Sequence, residues 1–288
     1  MPFIPYINLG TTLNFGLVKF DSNYLQTKGG IAINLLSGNN FKWSVFYNSE
    51  VTSLLSADTS RIRATYNFPS INATTLKSYG VSIEKMQWEN PINPWKGYSF
   101  NVTGSAGIKR INKDNRIDRV KFNEGGNITT LYDSLKLTFN QFETSINADF
   151  VIPLSAQKVV AYTKFNASSI WVDKIFFGEL YRLGGFKTLK GFDEQSIFAN
   201  QFLAATFELR YRFNTLSNAF IFSTAMYYKN QSENFQGIKE DIPVGFGVGA
   251  NINTGNTVLS IAYGYGIQKN IPLNLSQGKF HFGLVSYF

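Results

Sequence analysis

The chain has 288 residues, a formal net charge of +8, one histidine and no cysteine, and only 16% of its residues are charged. Disulfides, thiolate metal sites and multi-histidine metal sites are therefore excluded, and the charged fraction lies below the roughly 25% of ordinary soluble domains. The basic residues are scattered and carry no nucleic-acid-binding signature, so the positive balance points to an anionic membrane surface or to lipopolysaccharide phosphates rather than to DNA or RNA.

The opening "MPFIPYINLGTTLNF" lacks the basic and apolar regions of a signal peptide. No window reaches the apolar run of about 18 residues that a transmembrane helix needs. Period-two alternation recurs instead. In 98–110, Tyr98, Phe100, Val102, Ala106 and Ile108 alternate with Ser99, Asn101, Thr103, Ser105 and Lys109. In 142–154, Phe142, Ile146, Phe150 and Ile152 face away from Glu143, Ser145, Asn147 and Asp149. In 201–213, Leu203, Phe207, Leu209 and Tyr211 oppose Glu208, Arg210 and Arg212. Strands 244–250 and 259–266 set Gly245, Gly247, Gly249, Gly264 and Gly266 opposite large apolar residues, an inner wall almost without side chains. Such a wall suits either close backbone approach or barrel curvature.

Alternation alone also fits a soluble sandwich, but these runs exceed the usual strand of about 5–6 residues and suit a tilted membrane strand of about 9–11. Connections alternate in length. "SGNN", "ENPINP", "LSAQK", "NTLSN" and "NTGN" are short, whereas 112–137, 173–200, 230–243 and 268–278 are long and polar. Short turns on one side and long loops on the other predict an all-β, transmembrane, antiparallel up-and-down barrel of about twelve strands in this chain. Trp43, Trp88, Trp95, Trp171, Tyr227, Tyr228 and Tyr287 sit near strand ends, where aromatic girdles belong. Phe280, Phe282, Leu284 and the final Phe288 alternate in the last strand.

That ending resembles the C-terminal β-signal of bacterial outer-membrane proteins, with Ser286 where an apolar residue is usual. The stretch "RLGGFKTLKGFDEQSIFANQFLAATFELRYRF", 182–213, resembles the loop 6 region of the Omp85 superfamily of BamA- and TamA-like assembly factors and two-partner secretion transporters. Gly184-Gly185 followed by Leu189-Lys190-Gly191-Phe192 matches the family's GG…(V/I)RG(F/Y). "FELRYRF" matches its Glu-containing strand, and "NPINPWKGYSF" its turn into a mid-barrel strand. "DEQSIFA" and the chain ending are similar to Bacteroidetes-type surface-antigen barrels.

The resemblance implies that loop 6 folds into the lumen and touches the inner wall. Two positions depart from the family pattern. Lys190 stands for the Arg at the loop tip, and "FSTAM", 222–226, places Thr224 and Met226 where the F-x-D-x-G motif has Asp and Gly, with Phe222 retained. A rearranged docking is expected, with Thr224 accepting a hydrogen bond or with Glu208, Asp149 or Glu143 supplying the charge. Glu208, Arg210, Phe222, Thr224, Gly245 and Gly247 are the expected wall contacts.

The implied function is outer-membrane protein assembly, insertion or translocation, by strand templating at a lateral seam between the first and last strands. Outer-membrane lipids, client outer-membrane or secreted proteins and accessory lipoproteins are the implied partners, with no nucleic acid. The alternative is a passive pore or surface-antigen barrel without assembly activity. Residues 1–288 are expected to form one outer-membrane barrel domain without a POTRA domain or signal peptide, either the C-terminal part of the family's larger barrel or a reduced one. No enzymatic set, cofactor or metal is expected. His281 is the only histidine, it has luminal parity, and it reads as a packed or hydrated residue.

Overall fold

The structure, a computed structural model, describes residues 8–286 apart from 21–23, 38–39, 70, 91–92, 125–126, 134, 156–157 and 234. Tyr287 and Phe288, and with them the end of the expected β-signal, lie outside the described residues.

Twelve long strands follow one another: β1 (Asn8–Phe20), β2 (Tyr24–Ser37), β3 (Phe41–Leu54), β4 (Thr74–Trp88), β5 (Gly97–Ile111), β6 (Thr138–Ser155), β7 (Val159–Trp171), β8 (Gln201–Arg212), β9 (Asn218–Lys229), β10 (Val244–Asn253), β11 (Thr257–Ile267) and β12 (Lys279–Ser286). Each pairs antiparallel with its sequence neighbours, as an up-and-down barrel requires. β1 and β12 are the two ends of this order, and among the described residues they do not pair with each other.

The alternation read from the sequence separates two environments. Leu13 and Phe15 of β1 are 80% exposed, Tyr79 of β4 69%, and Phe280 of β12 68%. An apolar belt of this extent is untenable in water and natural in hydrocarbon. Strands crossing that belt satisfy their backbone groups laterally, so the sheet must curl. The inner face is polar and cross-linked between strands. Asn34 donates to Thr12 at 2.7 Å and accepts from Ser44 at 2.7 Å. Asn166 donates to Asn147 at 2.6 Å, and Ser168 to Ser145 at 3.0 Å.

Trp43, Trp171 and Tyr227 face outward near strand ends. At the short-turn end the Lys85 ammonium lies 4.5 Å from the Phe41 ring centroid. Tyr228 departs from the expected girdle. It alternates with Tyr227, so it points inward, where it is buried in the core beneath the long loop before β8.

The long loops carry their own packing. Helix α1 (Thr59–Thr65), helix α2 (Asn115–Asp118) and the small hairpin Lys121–Glu124/Asn127–Thr130 gather Ile62, Ile117, Val120, Phe122 and Tyr132 into an apolar cluster above Ile111 and Phe139. Asp114 caps α2 and binds Arg116 at 2.6 Å, and the Arg116 guanidinium also donates to the carbonyls of Leu54 and Leu55 at 2.9 Å. The hydrogen bond from Arg116 holds the Asp114 carboxyl below the usual carboxylate range. A domed cover thus sits over β3–β7.

The short turn before β5 also folds inward. The Asn93 side chain is buried and accepts from Asn218 at 2.9 Å, and Arg212 stacks 5.3 Å from the Trp95 ring.

Phe207 points into lipid at mid-strand of β8. Phe207→Arg is expected to lower folding stability by roughly 2–4 kcal/mol in lipid vesicles, measured by urea titration.

Candidate functional site

The segment 172–200 between β7 and β8 supplies the site. It opens with a 3₁₀ turn, Phe177–Glu179, then forms a hairpin in which Tyr181–Leu183 pairs with Ile197–Ala199. The hairpin enters the bore. Its base holds the early strands and its tip the late ones, so the sheet is wrapped around it.

At the base, Lys109 of β5 is fully buried. Its ammonium pairs with Glu179, donates to the Lys174 carbonyl at 2.8 Å and lies 5.0 Å from the Phe176 ring. Arg182 donates to the Tyr24 hydroxyl of β2. Tyr181 donates to Glu143 of β6 at 2.5 Å. Burial, and after it the Glu143 carboxylate, push the Tyr181 phenol up, so it stays a neutral donor.

At the tip, Lys190 donates to Glu208 Oε1 at 2.8 Å. Arg210 binds Glu208 Oε2, also at 2.8 Å. Glu208 is 3% exposed and is neutralised from both sides. The Lys190 ammonium further lies 5.2, 5.5 and 5.9 Å from the ring centroids of Phe186, Phe222 and Phe220. A lysine cannot make the forked contact of an arginine, but its compact charge suits one carboxylate oxygen and three ring faces. From Glu208 the chain of contacts continues across the wall. The Arg210 guanidinium lies 3.7 Å from the Tyr162 ring, Tyr162 donates to Asp149 at 2.5 Å, and Ser99 donates to Asp149 at 3.2 Å.

The glycines set how close the loop comes. A Cβ on Gly245 would lie 1.8 Å from the Lys190 carbonyl oxygen. Gly191 has φ +91°, and a Cβ there would lie 2.4 Å from the Tyr265 carbonyl oxygen. Gly247 faces Phe222 instead, and Phe192 rests on Gly266. Gly184 and Gly185 also have positive φ and shape the start of the turn, closed by the Thr188 hydroxyl bonded to both the N–H and the carbonyl of Gly184. Leu189 is fully buried with Leu183, Ile197, Ala204, Met226 and Tyr228.

Of the alternatives for the Lys190 contact, Glu208 is the one that meets it and Thr224 is not. The Thr224 hydroxyl pairs with Thr206 at 2.8 Å and takes no part in the Lys190 contact, because Glu208 lies on the neighbouring strand and offers a full charge. Met226, where the motif has glycine, fills the space over Leu189.

His281 belongs to the site, and the sequence signals only its luminal parity. It is buried in β12, and its Nε2 accepts the Gly191 N–H at 2.9 Å. Beside it, Lys279 pairs with Asp193 at 2.8 Å. Phe280, Phe282 and Leu284 of the same strand point outward into the apolar belt.

Residues 5–288 match the model of the Omp85 superfamily domain. A search of curated proteins finds no match. Among solved structures, the chain is similar to BamA from Haemophilus ducreyi lacking POTRA domains 1–3, with TM-score 0.62 and 16% identity over 99% of this chain and 59% of that one. It is also similar to CdiB from Acinetobacter baumannii, with TM-score 0.48 and 10% identity over 96% of this chain and 53% of that one. The chain thus spans less than two thirds of either structure's length.

Glu208→Gln leaves the buried Lys190 and the half-buried Arg210 without a carboxylate and is expected to cost about 3–5 kcal/mol in a urea titration in micelles. Lys190→Ala is expected to cost less, because Arg210 still neutralises Glu208, and to let trypsin cut the loop at Lys187 faster than in wild type. Unchanged protease resistance in Lys190→Ala would remove the docking role of Lys190.

Proposed function

The chain belongs to the Omp85 superfamily of outer-membrane β-barrel proteins, and on that premise we propose that it takes part in assembling, inserting or translocating client proteins by offering them the edge of β12. The observation that carries this reading is the latch on β12. The last strand of the pairing order is held from inside the bore by the tip of the hairpin, through Gly191–His281 and Asp193–Lys279. An edge strand carries a row of backbone donors and acceptors, and an incoming strand gains its affinity by completing that row. A hairpin that grips the edge strand is placed to set how far that edge can move.

The same geometry argues against a passive pore. The hairpin spans the bore, from Tyr24 of β2 at its base to His281 of β12 at its tip. Client outer-membrane or secreted proteins, accessory lipoproteins and the surrounding lipids are the partners under this reading.

The test uses the full chain in lipid vesicles and a urea-unfolded eight-stranded outer-membrane barrel as client. Faster client folding than in empty vesicles is expected, with a photo-crosslinker at Leu284 capturing the client. Folding no faster than in empty vesicles, together with a large steady conductance in a planar bilayer, would establish the passive pore instead. His281→Leu leaves the buried Gly191 N–H without its acceptor, and amide hydrogen exchange in β12 is expected to rise about tenfold.

A further inference from the structure

Beside the hairpin tip lies a luminal cavity of about 180 Å³ that the docking contacts do not use up. Lys164, Lys187, Lys190 and Arg210 line it, with Glu208 as the one carboxylate. The two oxygens of Glu208 are already engaged, one by Lys190 and one by Arg210. Lys164 points inward from β7, and its register partners are Asp149 on β6 and Thr206 on β8. Neither serves it. The Asp149 oxygens take the hydroxyls of Tyr162 and Ser99, and the Thr206 hydroxyl pairs with Thr224. Among the described residues, Lys164 and Lys187 form no hydrogen bond and no ion pair within 4 Å.

Four cations against two carboxylates, Glu208 and the neighbouring Asp149, both with their oxygens already engaged, still leave a surplus of positive charge inside a bore walled by lipid-embedded strands. Low-dielectric walls concentrate that field and draw in a counter-ion. Lys187 is exposed at the hairpin tip and shares its charge with water, whereas Lys164 is half-buried in the cavity wall. Ammonium groups bind phosphate as point charges and need no fixed fork geometry.

We infer that this cavity is an oxyanion-binding site, with Lys164 as its half-buried donor, Lys187 at its rim and inorganic phosphate as its ligand class. Because the strand residues that line it, Tyr162, Lys164, Thr206, Glu208 and Arg210, share the inward parity, the ligand is a dissolved ion rather than a lipid headgroup. The site does not depend on strand templating and can stand or fall apart from it.

The test is titration of inorganic phosphate into the full chain in a neutral detergent at low ionic strength, followed calorimetrically and by ³¹P line broadening. Saturable binding at one site is expected, outcompeting chloride. Lys164→Gln is expected to weaken it about ten- to hundredfold, the worth of one charged hydrogen bond. Lys164→Arg keeps the charge and is expected to retain binding. The heat-dependent gel mobility of the folded barrel reports that each variant is intact. Short-chain phosphatidic acid above its micellar concentration is the second arm, and no saturable response to it is expected. Three results would each overturn the inference: no saturable phosphate binding by the folded wild type, equal affinity in folded Lys164→Gln, or equal competition by chloride. Tighter binding of phosphatidic acid than of phosphate would overturn the assignment of the ligand as a dissolved ion.

Discussion

Glu208 is a carboxylate sealed inside a protein wall, with Lys190 reaching it from the hairpin and Arg210 from its own strand. An isolated charge there would be costly enough to expel itself or titrate away. Paired on both sides, it ties the free tip of a long loop to the centre of the sheet. Much else follows from that tie. With the Lys190 side chain fixed, its carbonyl lies on Gly245, and Gly191 and Phe192 lie on β11. The Gly191 N–H then reaches His281 on the last strand. The base of the same loop holds β2, β5 and β6, so one insert braces opposite sides of a curled sheet.

The brace and the lipid set opposing demands. Strands in hydrocarbon require every backbone group paired, which favours closure. The proposed function requires an edge that can be offered to another strand. Holding β12 from the lumen reconciles the two, because the restraint acts on side chains and on one loop amide and leaves the outer row of backbone groups untouched. It also explains why a glycine-lined wall sits under the hairpin tip. Side chains on Gly245 or Gly266 would lift the loop and with it the grip on His281. The exchange of arginine for lysine at the tip is balanced locally. Glu208 receives the ammonium, three phenylalanine rings enclose it, and Met226 packs against Leu189.

Much of this architecture can be read in the residues themselves. Strict alternation in strands too long for a soluble sheet, with turns alternating short and long, specifies an antiparallel membrane sheet of twelve long strands and which face of each is greasy. Parity places Glu208, Arg210 and His281 inside and Phe280, Phe282 and Leu284 outside, since a period of two admits only two faces. Glycine spacing and the basic residue at 190 mark the hairpin, because few sequences tolerate such a density of positive-φ positions.

What parity cannot do is choose among residues that share a face. Glu143, Asp149 and Glu208 all point inward, and only the path of the hairpin decides that Glu208 meets Lys190 while Glu143 meets Tyr181 and Asp149 meets Tyr162. The inward fold of the turn at Asn93, the burial of Lys109 under Glu179 and the bond from Gly191 to His281 join residues 125, 70 and 90 positions apart. Local sequence sets strand, face and turn, because these depend on backbone preference and near neighbours. The pairing of distant charges depends on how the sheet curls and how deep a loop reaches, and those are settled only when the strands have curled around the hairpin.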